Sequence, residues 1–231
     1  MSYEIHLKET IPWYLNPELT WDEKEGFLNT GSKLLSLQED YKNLGEDIVL
    51  DGLYFKYIEA VDKWKTKETK ELQHIKQFQS ESQMIQFYGK IFDYNFQNFI
   101  TRKNIDTIAI IPNNQVRQIS FNATIEERLK KDFWKLYRFG EIDLNAYEWR
   151  EAQKSTQWLA HRIENAKKLF TIKPTNLHNA KNILLIDDVF GSWATMNTVA
   201  ENIKKINPEV NIIGFTLIGS YRKGFDVVNE V

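Results

Sequence analysis

Two adjacent carboxylates, Asp187 and Asp188, follow the apolar run Ile183–Ile186 in "NILLIDDVFGSWATMNTVAENI". Gly191, Ser192 and Thr195 come next, and then an amphipathic run. A small-residue turn that opens a helix is an anion site, because its unpaired backbone N–H donors and the helix dipole both favour a phosphate. Carboxylates beside a bound anion repel it unless they serve another part of the same ligand. They accept hydrogen bonds from sugar hydroxyls, or help to hold a magnesium ion and its waters. A ribose 5-phosphate offers both halves, a phosphate at one end and a diol in the middle. The alternative is an ordinary strand ending in two aspartates, with Asp188 or Ser192 capping the helix.

Such a site needs elements to position it. "IDTIAIIPNN" and Asn182–Ile186 are nearly continuous apolar runs, the pattern of strands buried on both faces of a parallel sheet. A third strand is expected over Val210–Gly219, and the helix between the last two from Ala194 or Thr195. "SFNATIEERLKKDFWKLY" has helical spacing, as do the aromatic and apolar residues from Glu81 to Ile100, which read as one amphipathic helix. A helix is also expected over Ser32–Tyr41. After a strand or turn at Asp51-Gly52, the spacing of Phe55, Ile58, Val61 and Trp64 predicts a helix from Tyr54. The charge-dense "KWKTKETKELQ" reads as a solvated connection or helix face, since its signs alternate. Strands alternating with helices imply right-handed crossovers and an α/β fold, a parallel sheet flanked by helices. In the open sheets of this class ligands bind beyond the carboxyl ends of the strands, where Asp187 and Asp188 fall.

Composition narrows the chemistry. The 231 residues fit one domain with an extension, and 42% hydrophobic with 27% charged residues is ordinary for a globular chain. There is no cysteine, so disulfides, thiolate zinc sites and cysteine nucleophiles are excluded. The net charge of -2 supplies no global field for nucleic acid or an anionic membrane. His6, His74, His161 and His178 are scattered, without the spacing of a metal cluster. With no signal-peptide pattern and no membrane-spanning run, a cytoplasmic protein without a membrane partner is expected.

The segment around Asp187 resembles the phosphoribosyl-pyrophosphate (PRPP) motif of type I phosphoribosyltransferases. The resemblance implies that Asp187 and Asp188 contact the ribose hydroxyls, while Gly191, Ser192, Trp193, Ala194 and Thr195 hold the 5-phosphate. "IIPNNQVRQISFNATIEERL" is similar to a segment of the ComF-type (competence-associated) branch of that family, through Pro112, Arg117, Phe121 and Asn122. "REAQKSTQWLAHRIENAKKLF" is similar to another, through Gln157, Leu159, Arg162, Asn165 and Phe170. On this resemblance Asn113, Asn114 and Arg117 belong to the pyrophosphate loop, with Arg117 a catalytic residue beside the two aspartates. Arg150, Gln157, Arg162 and Asn165 lie on or beside a mobile loop that closes over the substrate. The implied reaction transfers phosphoribose from magnesium-PRPP to a base or amine and releases pyrophosphate, the Mg2+ being held mainly through PRPP.

The likeness covers residues 51–231 and leaves 1–50 as an aromatic-rich elaboration where such proteins often carry a zinc ribbon. The sequence departs from the pattern at Trp193, a bulky residue where glycine commonly lets a backbone approach a phosphate. That departure keeps a second expectation open, a catalytically degenerate module that senses PRPP or a nucleotide, or that binds a protein partner. Family analogy also brings a DNA or helicase partner into view; the acidic balance opposes strong DNA binding by this chain. The acceptor and the oligomeric state are not legible.

Overall fold

Apolar runs without polar alternation must be covered on both faces, and Thr107–Ile110 and Ile183–Ile186 are. The computed structural model describes residues 20–22, 27–29, 41–59, 67–78, 80–113, 120–145, 159–189 and 194–220. In chain order the strands are β1 (Thr20–Asp22), β2 (Phe27–Asn29), β3 (Gly52–Glu59), β4 (Thr107–Ile110), β5 (Arg138–Leu144), β6 (Phe170–Lys173), β7 (Asn182–Val189) and β8 (Asn211–Ser220). The helices are α1 (Lys67–Phe78), α2 (Glu81–Ile91), α3 (Tyr94–Arg102), α4 (Phe121–Phe133), α5 (Leu159–Leu169) and α6 (Ala194–Ile206). The described strands form a sheet in the order β1-β2-β3-β8-β7-β4-β5-β6. The run from β3 to β5 is parallel, while β1, β2 and β6 are joined antiparallel at the two ends. This is the α/β architecture expected from the sequence, a mostly parallel sheet flanked by helices and consistent with a type I phosphoribosyltransferase-like fold.

The period-2 alternation of the strands assigns side chains to two cores. Ala109, Ile183, Leu185 and Ile212 pack with α5 and α6 on one face. Ile108, Ile110, Leu184, Ile186 and Phe215 pack with α1 to α4 on the other. The second face is rich in aromatic rings: Phe215 stands 5.7 Å from Phe96, 6.2 Å from Phe99 and 6.4 Å from Phe92, measured between ring centres.

Two expectations need correction. From Tyr54 to Glu59 the chain is not a helix but part of β3, Gly52–Glu59, paired parallel to β8, while Val61 and Trp64 lie outside the described residues. Leu53 and Phe55 pack into one core and Tyr54 into the other, so a strand buried on both faces produced apolar spacing that mimicked a helix. Glu81–Ile100 is not one helix but two. The Phe92 N–H closes α2 on the Tyr88 carbonyl at 2.9 Å, and the Asp93 side chain accepts from the Phe96 N–H at 3.1 Å to start α3. The periodicity survived the break because both helices bury their aromatic faces in the same core. Lys67–Phe78 is a helix, so the charge-dense stretch is a helix face from Lys67 on, and its residues 63–66 lie outside the described residues. The helix expected over Ser32–Tyr41 lies outside the described residues except Tyr41, which is buried in a helical turn.

The chain from Tyr41 into β3 is fastened to the α6 face. Asn197 accepts from the Val49 N–H at 3.0 Å and donates to the Asp47 carbonyl at 2.8 Å. Asp51 accepts from the Ile212 N–H at 2.8 Å. Upstream, β2 pairs antiparallel with β3 and β1 with β2, so the N-terminal stretch adds strands to the same sheet.

Candidate functional site

From β4 the chain crosses through α4 to β5, and from the adjacent β7 it crosses through α6 to β8 on the other side. Crossovers of one hand that step in opposite directions must lie on opposite faces, and α4 and α6 do. The two connections therefore part at the carboxyl ends of β4 and β7, leaving the crevice where open α/β sheets bind ligands. On the β4 side the ladder closes at the Ile111 N–H to Ile186 carbonyl bond of 2.9 Å. On the β8 side it runs on, Asp187 opposite Thr216 and Val189 opposite Ile218. Asp187 and Asp188 thus sit at the edge exposed where β4 turns away.

Three side chains on the β4 side organise that edge. Asn113 donates through Nδ2 to Asp188 Oδ2 at 3.1 Å. Its Oδ1 accepts from Ser120 Oγ at 3.1 Å and from the Asn122 N–H at 2.8 Å. Asn122 is buried and donates through Nδ2 to the Ile111 carbonyl at 2.6 Å, with Asp187 Oδ1 at 3.5 Å from the same nitrogen. Ser120 caps α4, accepting from the Ala123 N–H at 3.3 Å. The asparagine amides therefore fix the end of β4, the start of α4 and the acidic pair in one network, and Asn113 takes up part of the donor capacity of the α4 N-terminus. Lys76 of α1, on the same face of the sheet as α4, forms an ion pair with Asp188.

Successive residues of a strand face opposite ways, so the two aspartates straddle the sheet. Asp188 shares the face of Leu184 and Ile186, where α1 and α4 lie, and is buried. Asp187 follows Ile183 and Leu185 toward the α6 face. Its Oδ1 also accepts from the Asp188 N–H at 2.8 Å. Although part of Asp187 reaches the surface, protein atoms crowd its carboxyl, and that burial pushes its pKa up to about 8. The Asp188 charge adds to the rise, while the Asp188 N–H, the Lys76 charge and the Asn122 amide oppose it. Beside Asp187 on β8, the Thr216 hydroxyl is buried and has no hydrogen-bond partner among the described residues.

Ala194 opens α6 and is buried, and Thr195 is partly buried in its first turn, as expected of a helix that begins beside the end of β7. Asp187, Asp188 and Asn113 are thus brought together. Arg162 and Asn165 lie within α5, which packs on α6. The Arg162 charge acts on the buried Tyr41 hydroxyl, which Glu201 and Glu46 also influence. Asn114, Arg117, Arg150, Gln157, Gly191, Ser192 and Trp193 lie outside the described residues.

The donor set bears on magnesium. Two carboxylates, one of them paired with a lysine and the other holding its proton into the neutral range, make a poor cage for a hard cation that wants anionic oxygens. No group of three or more metal-ligating His, Asp or Glu occurs among the described residues. Among the described residues no helix is long and apolar enough to cross a membrane. Neither a protein-family model nor a curated protein matches the sequence.

Lys76, Ser120 and Thr216 are site features that sequence reasoning passed over. Lys76 carried a faint signal: Thr69 and Leu72 are buried on α1, and Lys76 continues their i, i+3, i+7 stripe with a cation. A charge in line with a core-facing stripe needs a buried partner, and Asp188 is that partner.

Proposed function

We propose that the chain is a phosphoribosyltransferase-like protein that binds magnesium-PRPP at the crevice between β4 and β7. It transfers the phosphoribosyl group to a base or amine and releases pyrophosphate. The observation that carries this reading is the acidic pair at the topological switch point, braced by Asn113 and Asn122 and standing beside the first turn of α6. Carboxylate oxygens that face a crevice recognise a diol, and the start of a thirteen-residue helix recognises a phosphate.

In this mechanism Asp187 and Asp188 grip the ribose hydroxyls and orient the anomeric carbon. Breaking its bond to the diphosphate builds oxocarbenium-like positive charge on the sugar, as in glycoside cleavage. The negative charge of Asp188 favours that state without moving, since Asn113 and Lys76 have already oriented it. The first turn of α6, with Thr195, anchors the 5-phosphate; Arg117 and the Asn113–Asn114 segment take the diphosphate. Magnesium, when bound with PRPP, neutralises the departing pyrophosphate. No covalent intermediate on the protein is required.

Calorimetric titration with magnesium-PRPP is the deciding experiment, followed by pyrophosphate release over a panel of bases and amines. Saturable binding that weakens about ten- to a hundredfold in Asp188→Asn supports the reading. Absence of binding by the wild-type chain, or an Asp188→Asn variant that binds equally well, removes it. Trp193 favours a second reading, in which the site senses PRPP or a nucleotide without turning it over. Binding with no pyrophosphate release to any acceptor selects that reading.

A further inference from the structure

Lys76 enters the crevice from α1, an element outside the two crossovers that build it. Its ammonium pairs with Asp188 Oδ2, the same oxygen that accepts from Asn113 Nδ2 at 3.1 Å. It also stands 6.0 Å from the centre of the Phe121 ring, at the first residue of α4. The cation is therefore placed beside Asp188 and near the start of α4. We infer that Lys76 is a specificity residue for a diphosphate: its ammonium balances Asp188 in the ligand-free protein, and is shared between Asp188 and the diphosphate when a diphosphate-bearing sugar binds. This inference rests on the ribose-phosphate reading of the site.

The physical case is one of charge and reach. A sugar that carries a diphosphate brings several negative charges toward two carboxylates, and a cation lodged between like charges turns repulsion into attraction. Lysine suits the exchange because its ammonium is a compact charge with three donors on a flexible stem, able to serve two acceptors at once. The Phe121 ring face lies within cation–π range and gives the ammonium a favourable surface over which to shift. Ribose 5-phosphate presents the same diol to Asp187 and Asp188 but nothing for the lysine to meet.

That difference supplies the test. Wild type, Lys76→Met and Lys76→Arg are titrated with magnesium-PRPP, ribose 5-phosphate and magnesium-pyrophosphate, with thermal melts to check folding. The expected result is a loss of about ten- to a hundredfold for PRPP in Lys76→Met, against less than about threefold for ribose 5-phosphate. Lys76→Arg keeps most of the PRPP affinity because it keeps the charge. A purely structural role in holding Asp188 weakens both sugars alike, and that outcome, or no loss at all, overturns the inference while leaving the site reading intact. A wild-type chain that binds none of the three ligands overturns the site reading itself. Should Lys76→Met not fold, Lys76→Gln carries the same comparison.

Discussion

Asp187 holds a proton where an isolated aspartate would not, and this has a sign that can be worked out. Its pKa is raised from 3.8 to about 8 in the folded chain, by burial first and by Asp188 second. The native state therefore binds the proton more tightly than the unfolded chain does. The stability that this proton confers is fully present below about pH 4, declines as pH rises, and is lost above about pH 8. An amide at this position keeps an oxygen to accept the Asp188 N–H and cannot ionise. Asp187→Asn is expected to match wild type near pH 4 and to exceed it at pH 9 by at least about 1 kcal/mol. In a chain of this size that is a rise of about 2–4 °C in Tm. Melting curves at the two pH values check it, and an equal gap at both would remove the assignment. At pH 9, where Asp187 is ionised, the same variant is expected to bind PRPP more weakly than wild type, because a site that stores charge for a ligand is stabilised when the charge is deleted.

Among the elements, the start of α3 combines two functions in one side chain. Asp93 caps the helix through the Phe96 N–H and stands 3.7 Å from Nζ of Lys56, a buried lysine of β3. Burial lowers the Lys56 pKa and the Asp93 carboxylate partly restores it. Asp93→Ala should therefore cost more than a cap alone, about 2–4 kcal/mol in urea unfolding. In a Lys56→Met background the same change should cost only about 1 kcal/mol, the value of the cap. Equal costs in the two backgrounds would show that the ion pair contributes nothing. Elements of this kind show what makes a strand legible. β4 and β7 could be read directly, because a short apolar run bounded by Pro112-Asn113 or by two aspartates fits little besides a buried strand. β5, "RFGEIDL", offers no such run, because Arg138, Glu141 and Asp143 interrupt it, although Gly140 and Ile142 are buried. The acidic pair was legible from its neighbours in sequence. Thr216 was not, because a register across the fold and not a local pattern makes it part of the site; for Lys76 the local stripe points to a buried partner but not to Asp188, which only the fold brings to it.

At the scale of the whole molecule, the site depends on a sheet held between two unlike cores. The α5 and α6 face is mainly aliphatic, while the α1 to α4 face is packed with phenylalanine and tyrosine. Phe215 is fully buried and contacts rings from the end of α2 and from α3, while its strand β8 pairs along β7 through Asp187. The strand that supports the acidic pair is thus tied through one side chain to the aromatic core. Phe215→Ala removes a large buried volume from a region of stiff rings that collapse poorly, so the cost should lie near about 3–5 kcal/mol. Phe215→Leu keeps most of the volume and should cost less than about 2 kcal/mol. Urea denaturation of both variants measures the difference. The alanine variant, if it still folds, should also bind magnesium-PRPP more weakly than the leucine variant, because the cavity lies under β8 and loosens the strand beside Asp187. A Phe215→Ala change that costs less than about 1 kcal/mol would mean that the aromatic layer is not what holds this face of the sheet, and that the acidic pair is positioned by the asparagine network and Lys76 alone.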